Sequence, residues 1–330
     1  MMPDAPTVPC YSHEDVVRLL NLDECIAAVR DAMAGLTAEQ FDQPLRSGVR
    51  LSQGKGFALM PGVGPGGQGF GAKLISVFAD PDHTGRSAHR GVVVVFDPES
   101  GHVRCLADAG AITAIRTGCA SAVATDALAR DDARVLAIFG TGSQARSHAL
   151  ATTRVRRFDR LILWGRDRNR AARLRAELAL TLHLPIDIET DGSAAARQAD
   201  VICTVSGAVS PILFREWVKP GTHVNVVGSS SLGPTEVDGA LVRDSRYVAD
   251  YRRSALAAAS ELALARQAGL VTDDHVVAEI GEVLLGRVAG RRTVQEITLY
   301  KSLGHIVQDL AAANCVHRAA TATQAQTKPS

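Results

Sequence analysis

Gly140-Thr141-Gly142-Ser143-Gln144-Ala145 follows directly on the apolar run Val135–Phe139, and a helix-compatible segment runs on from Ser143. A strand, a glycine turn and a helix in that order make a phosphate cradle of the dinucleotide-binding kind. Gly140 permits the tight turn, Gly142 leaves the backbone open to a pyrophosphate, and Ala145 lets helix and strand pack closely. The unpaired N–H groups of the first helical turn, with the positive end of the helix dipole, favour the phosphates. Arg116 is a second residue with chemical consequence. It falls on the apolar stripe Ile112, Ile115, Cys119, Ala122 and Val123 of a helix expected over 112–128. A guanidinium facing a core needs an anion, because a lone buried charge is costly. That anion is either a ligand's or a carboxylate of the protein.

The elements that must position these residues follow from periodicity. From Val135 onward, strands at 135–139, 161–164, 186–188, 201–205 and 224–227 alternate with helices, which predicts a parallel sheet with right-handed crossovers. Ligands of such sheets bind beyond the carboxyl ends of the strands. Gly140 to Gln144, Gly165 to Arg168, Thr204-Val205-Ser206 and 228–231 are therefore candidates. The region before Val135 reads as two helices, one capped by Ser12 and one from Asp23 through Met33, then a strand-rich part. Strands are expected at 57–60, ending at Pro61, at 71–78, at 91–96 and at 102–106, with Lys73, Ile75 and Val77 on one face of the second. Helices are expected at 254–268, 276–285 and 304–320, followed by a polar tail over 321–330. The fold class is α/β, a Rossmann dinucleotide-binding domain with an α+β domain beside it in sequence.

In NAD-binding units an acidic residue after the second strand takes the ribose hydroxyls. Here Gly165 holds that position, followed by Arg166, Asp167 and Arg168. Room at a glycine and two guanidiniums suit a 2′-phosphate, so NADPH is expected ahead of NADH. Asp167 takes the acidic role if the strand ends later.

At 330 residues the chain has room for two cores, and its composition is that of a soluble globular protein. A net charge of +1 gives no footprint for nucleic acid or an anionic membrane. Arg154-Val-Arg156-Arg157 reads as a solvated face. Six scattered cysteines, none in a C-x-x-C pair or beside a ligand-spaced histidine, point to a reducing compartment and no metal site. With no signal-like start and no bilayer-length apolar run, the cytoplasm is the expected location.

Several motifs in order resemble the ornithine cyclodeaminase/mu-crystallin family. They are Gly71-Ala-Lys73, Ile112-Thr-Ala-Ile-Arg116-Thr117, the glycine turn, Trp217-Val-Lys-Pro-Gly221, Asn225-Val-Val-Gly228-Ser and Lys301-Ser-Leu-Gly304. The resemblance implies a homodimer with two domains per chain. Residues 1–115 with 305–330 would bind substrate and dimerise, and 116–304 would be the Rossmann NAD(P)-binding domain. It implies that Arg46, Lys73 and Arg116 hold the carboxylate of a small amino or imino acid. It also implies that His89, Thr117, Ser302, Leu303 and Gly304 lie near the cofactor.

Two departures from the family pattern matter. Ornithine cyclodeaminases carry a carboxylate where this chain has Ser230, and a glutamate where Ala58 stands. Without them a diamino acid's second ammonium lacks a partner, which disfavours cyclodeamination. The chain is then most similar to the ketimine reductase and Δ1-pyrroline-2-carboxylate reductase branch. The implied activity is NADPH-dependent reduction of a cyclic α-imino acid. In it Lys73 is the titratable group near the imine nitrogen and Ser230 relays through water. An amino-acid dehydrogenase, a linear imine reductase and a ligand-binding mu-crystallin-like protein are alternatives that the motifs leave open.

Overall fold

Ser12 opens the first helix through a capping box: its hydroxyl accepts from Asp15 N–H, and the Asp15 carboxylate returns a bond to Ser12 N–H. The computed structural model describes residues 7–39, 43–53, 55–78 and 89–327, with His89 and 324–327 described by their backbone alone. They separate into two units, one drawn from 1–116 and 305–330, the other from 117–304.

The first unit begins with strand β1 (Cys10–Tyr11), helix α1 (His13–Leu19) and helix α2 (Leu22–Glu39). α2 runs past the expected end at Met33 because Leu36 continues its buried stripe of Cys25, Ile26, Val29, Ala32 and Met33. Strands β2 (Ser47–Ser52), β3 (Lys55–Val63), β4 (Phe70–Phe78), β5 (His89–Phe96) and β6 (Val103–Asp108) follow. They form one sheet in the order β1-β6-β5-β4-β3-β2, antiparallel except for the β1–β6 pair. β3 does not stop at Pro61 as expected. Its pairing with β2 ends at Leu59, so Pro61 pairs only with Ala72 on β4, and a proline is tolerated on a strand with one open side. Helix α3 (Ala109–Leu128) starts in this unit, and the division falls within it after Arg116.

The second unit is an eight-stranded parallel sheet. Strand β7 (Val135–Phe139) leads through the glycine turn into α4 (Ser143–Val155), then β8 (Arg160–Trp164), α5 (Arg168–Ala179), β9 (Ile186–Glu189), α6 (Gly192–Gln198), β10 (Val201–Thr204) and β11 (His223–Val226). Helix α7 (Gly239–Asp244), β12 (Ser245–Ala249), α8 (Arg252–Ala258), α9 (Ser260–Gln267), β13 (Val276–Glu279), α10 (Ile280–Leu284) and β14 (Ile297–Lys301) complete it. The strand order is β13-β12-β14-β11-β10-β7-β8-β9. Alternating buried residues such as Ala137, Phe139, Ile202, Val224, Tyr247 and Leu299 join the covering helices in one core.

Three expectations need correction here. The helix expected over 276–285 is strand β13 followed by the short α10, since Val276 and Ala278 enter the sheet core. The helix over 254–268 is broken at Ala259, which has an extended backbone. Arg156 is no solvated side chain: it is bound to the Asp126 carboxylate at 2.5 Å and its carbonyl at 2.7 Å.

The chain then returns to the first unit as α11 (Ile306–Thr327), which packs on α2 and across β3 to β6. Every residue from His305 to Val316 is buried. The helix continues through 321–327, where a polar tail was expected.

Candidate active site

Lys73 lies in the middle of β4, opposite Met60 on β3 and Val93 on β5, with 2% of its surface exposed. Its ammonium is 2.7 Å from Asp309 Oδ2 and 3.5 Å from Thr113 Oγ1. Arg116, on α3, donates from Nε to Asp309 Oδ1 at 2.8 Å and from Nη1 to Gln308 Oε1 at 2.9 Å. The inward-facing arginine therefore meets a carboxylate of the protein itself. Asp309, wholly buried on α11, bridges both cations. Sequence reading did not single it out. The available signal was an acid set among Ile306, Val307 and Leu310 on a helix expected to bury that face.

The electrostatics of the cluster follow from its composition. Burial pushes the Lys73 ammonium down to about 8, and the charges of Arg116 and Arg46 act in the same direction against Asp309. Burial alone would raise Asp309, but Arg116 and Lys73 outweigh it and hold the carboxyl below its ordinary value. Arg46 is exposed just ahead of β2, and its charge is felt at both Lys73 and His305. The three expected cations thus share one field, and two of them, Lys73 and Arg116, meet on the Asp309 carboxylate. Burial also holds His305 down to about 4, so its ring is neutral. Ala58 lies on the Lys73 face of the sheet, opposite Ile75, and adds no charge there. Among the described residues no group of His, Cys, Asp and Glu is arranged to hold a metal ion.

In the second unit the candidate residues gather at the carboxyl ends of the parallel strands. Gly140 has φ +147°, and a Cβ there would lie 2.8 Å from the Val205 carbonyl oxygen, so the turn requires glycine. Gly142 caps α4 without a side-chain bond, and a Cβ on it would meet nothing within 4 Å. The first turn of Ser143, Gln144 and Ala145 therefore opens onto free space. Two buried polar atoms, Gln144 Oε1 and Ser302 Oγ, have no hydrogen-bond partner. An open helix start with unpartnered polar atoms fits a dinucleotide.

Gly165 has a packing reason of its own: a Cβ there would stand 2.5 Å from Thr141 Cγ2. Asp167 is exposed and has a structural role of its own. It is the N-cap of α5, accepting from Asn169 N–H at 2.9 Å and Arg170 N–H at 3.1 Å. Arg166 and Arg168 beside it are exposed.

Three buried carboxylates hold the neighbouring loops. Glu236 accepts from Thr204 Oγ1 at 2.9 Å, Ser206 N–H at 2.6 Å, Ser206 Oγ at 2.8 Å and Gly228 N–H at 2.6 Å. Glu261 bonds Ser229 Oγ and lies 3.0 Å from the Lys301 ammonium, which also donates to the Ser229 carbonyl at 2.6 Å. Asp250 accepts from Leu303 and Gly304 N–H at 2.7 Å each. Ser229 thus points into the network, and Ser230 beside it is half-buried. Thr117 is buried in α3 within this unit. The side chain of His89 lies outside the described residues.

An open glycine turn in one unit and a cationic cluster in the other fit an oxidoreductase that uses a nicotinamide dinucleotide, the class to which the relatives named next assign the chain. The chain belongs to the ornithine cyclodeaminase/mu-crystallin family, whose model matches residues 10–324. It is 32% identical over 304 residues to a Δ1-pyrroline-2-carboxylate reductase of Bacillus thuringiensis subsp. konkukian, covering 92% of this chain and 93% of that protein. It is 34% identical over 276 residues to the ketimine reductase mu-crystallin of Mus musculus, covering 83% and 84%. Among solved structures it is similar to Thermococcus litoralis Δ1-pyrroline-2-carboxylate reductase in complex with NADH and L-proline. The TM-score is 0.92 at 27% identity, with 96% of this chain and 98% of that one covered.

Proposed function

We propose that this chain reduces a cyclic α-imino acid, Δ1-pyrroline-2-carboxylate or Δ1-piperideine-2-carboxylate, to the corresponding L-imino acid. The carrying observation is the Lys73–Asp309–Arg116 bridge: two buried cations oriented by one carboxylate, with a lysine whose proton is held near neutrality. Arg116 and Arg46 grip the substrate carboxylate, and guanidinium geometry fixes its plane. Asp309 prevents the two buried cations from repelling each other apart before substrate arrives. The Lys73 ammonium holds the proton that the imine nitrogen takes up, a role its value of about 8 suits. Ser230 is the candidate water relay. Reduced nicotinamide, when bound, supplies the hydride to the imine carbon.

The Gly140–Gln144 turn would hold the pyrophosphate on the α4 N-terminus. His89, Thr117, Thr204 to Ser206 and Ser302 to Gly304 would line the rest of the cofactor site. Arg166 and Arg168, exposed next to Gly165, favour NADPH over NADH. The unit of 1–116 with 305–330 would act as the substrate-binding and dimerisation domain, and that of 117–304 as the NAD(P)-binding domain. The homodimer reading is supported by β2, an edge strand exposed along its whole length, with Val49 60% and Leu51 55% exposed.

Loss of reduced-nicotinamide absorbance tests the proposal, with both cyclic imines, pyruvate plus ammonia, and NADPH against NADH. Reduction of a cyclic imine, faster with NADPH, is the expected result. Turnover of pyruvate with ammonia but of neither cyclic imine would replace this reading with an amino-acid dehydrogenase. L-Ornithine conversion would restore cyclodeamination.

A further inference from the structure

β7 pairs with β8 up to Phe139 opposite Trp164, and Gly140 N–H donates to the Trp164 carbonyl at 3.0 Å. The glycine turn and the residue after β8 therefore lie side by side. That residue, Gly165, is buried. Its φ lies outside the left-handed region, so its backbone does not call for glycine. Its surroundings do. The three atoms nearest to a Cβ at 165 all belong to Thr141: Cγ2 at 2.5 Å, Cβ at 3.7 Å and Oγ1 at 3.7 Å. The last two distances are ordinary contact, and only the methyl group is too close. Threonine fills two of the three staggered positions at its Cβ with heavy atoms, so it is a stiff block.

The position after the second strand is where an acid takes the ribose hydroxyls in NAD-binding units. A carboxylate there would also repel a 2′-phosphate, so this side chain decides between the two dinucleotides. We propose that Thr141 is a specificity-determining residue: its γ-methyl holds position 165 to glycine and so keeps an acid out of the ribose site. The proposal rests on the reading of Gly140 to Ala145 as the pyrophosphate turn and of Gly165 as a feature that favours NADPH. Cofactor choice is then shared between the ends of two neighbouring strands, and an acid introduced at 165 alone does not reverse it.

The test is a double-variant cycle of wild type, Thr141→Ser, Gly165→Asp and the two together, with Thr141→Ser removing only the methyl. Kd for NADH and for NADPH is read by nucleotide fluorescence, beside the melting midpoint. Gly165→Asp alone should lower the midpoint by roughly 2–12 °C and bind NADH no better than wild type. Joined to Thr141→Ser, the same acid should tighten NADH by about 10- to 100-fold over Thr141→Ser alone and recover most of the lost midpoint. An equal gain for NADH in both backgrounds, or a gain in neither, overturns the proposal. If Gly165→Asp does not fold, a folded double variant that gains NADH supports it, and an unfolded double variant overturns it. If wild type binds NADH as tightly as NADPH, the cofactor preference falls and the same cycle still judges Thr141. A gain confined to the serine background then supports the proposal, and a gain in both overturns it. Wild type that binds neither dinucleotide overturns both readings.

Discussion

Asp309→Asn keeps the shape of the bridging side chain and removes its charge. In the native protein that carboxylate lies 2.7 Å from the Lys73 ammonium and 2.8 Å from Arg116 Nε. Without it two buried cations share one site with no counter-charge, a loss of about 3–5 kcal/mol. At roughly 2–4 °C per kcal/mol for a unit of this size, the melting midpoint should fall by roughly 6–20 °C. The pH dependence distinguishes this cause from lost packing. Asp309 is the attraction that raises the Lys73 value, so in the variant Lys73 drops below about 8 while the unfolded chain keeps the ordinary 10.5. The unfolded state then binds more protons, and stability rises with pH. The wild-type chain gains less over the same range, so the gap between the two narrows from about pH 7 to about pH 9. Thermal unfolding monitored by far-UV dichroism at both pH values reads it. A midpoint within about 2 °C of wild type, or a gap that widens with pH, would refute the bridging role.

The two glycines of the turn should respond oppositely. Gly142→Ala meets nothing and should leave the melting temperature alone while weakening NADPH binding about tenfold or more, whereas Gly140→Ala should destabilise the fold itself. Titration of NADPH fluorescence and thermal melts separate them, and equal effects on both readouts would count against the cradle. Burial, helped by the Arg291 charge, holds His223 down to about 3 from 6.5. That stability is fully present above the unfolded value and is lost as pH falls through it, by about 2 kcal/mol at about pH 5. Denaturant unfolding of wild type and His223→Gln should show this part of the acid loss missing in the variant; identical pH slopes would contradict it. Lys301→Met strands the buried Glu261 and should cost about 3–5 kcal/mol, and adding Glu261→Gln should recover part of it. A double variant less stable than the single one would argue against a paired charge.

The strand–turn–helix at Val135–Phe139 and Ser143 onward was legible because every local signal agrees there: apolar run, glycines, then helix formers. The strands β12 and β13 were not. Val276-Val-Ala-Glu279 is too short to show a period, and the apolar residues after it continue at helical spacing, so strand and short helix merge into one apparent helix. Of Ile297–Lys301 only Lys301 entered a motif, although the β-branched and aromatic residues before it favour a strand. In the first unit, Arg116 announced itself as an inward charge, but sequence could not decide whose carboxylate answers it. Asp309 is 193 residues away along the chain, and only the packing of α11 onto the sheet brings it near.

The return of α11 to the first unit sets a schedule for the ribosome. Lys73 and Arg116 leave the exit tunnel early, and the residue that balances them is made only after all of 117–304 has been synthesised. Until then the first unit is a sheet without its covering helix and with two uncompensated cations. Translation that stops near residue 304 would therefore release a chain whose parallel sheet is whole and whose other half has lost its keystone.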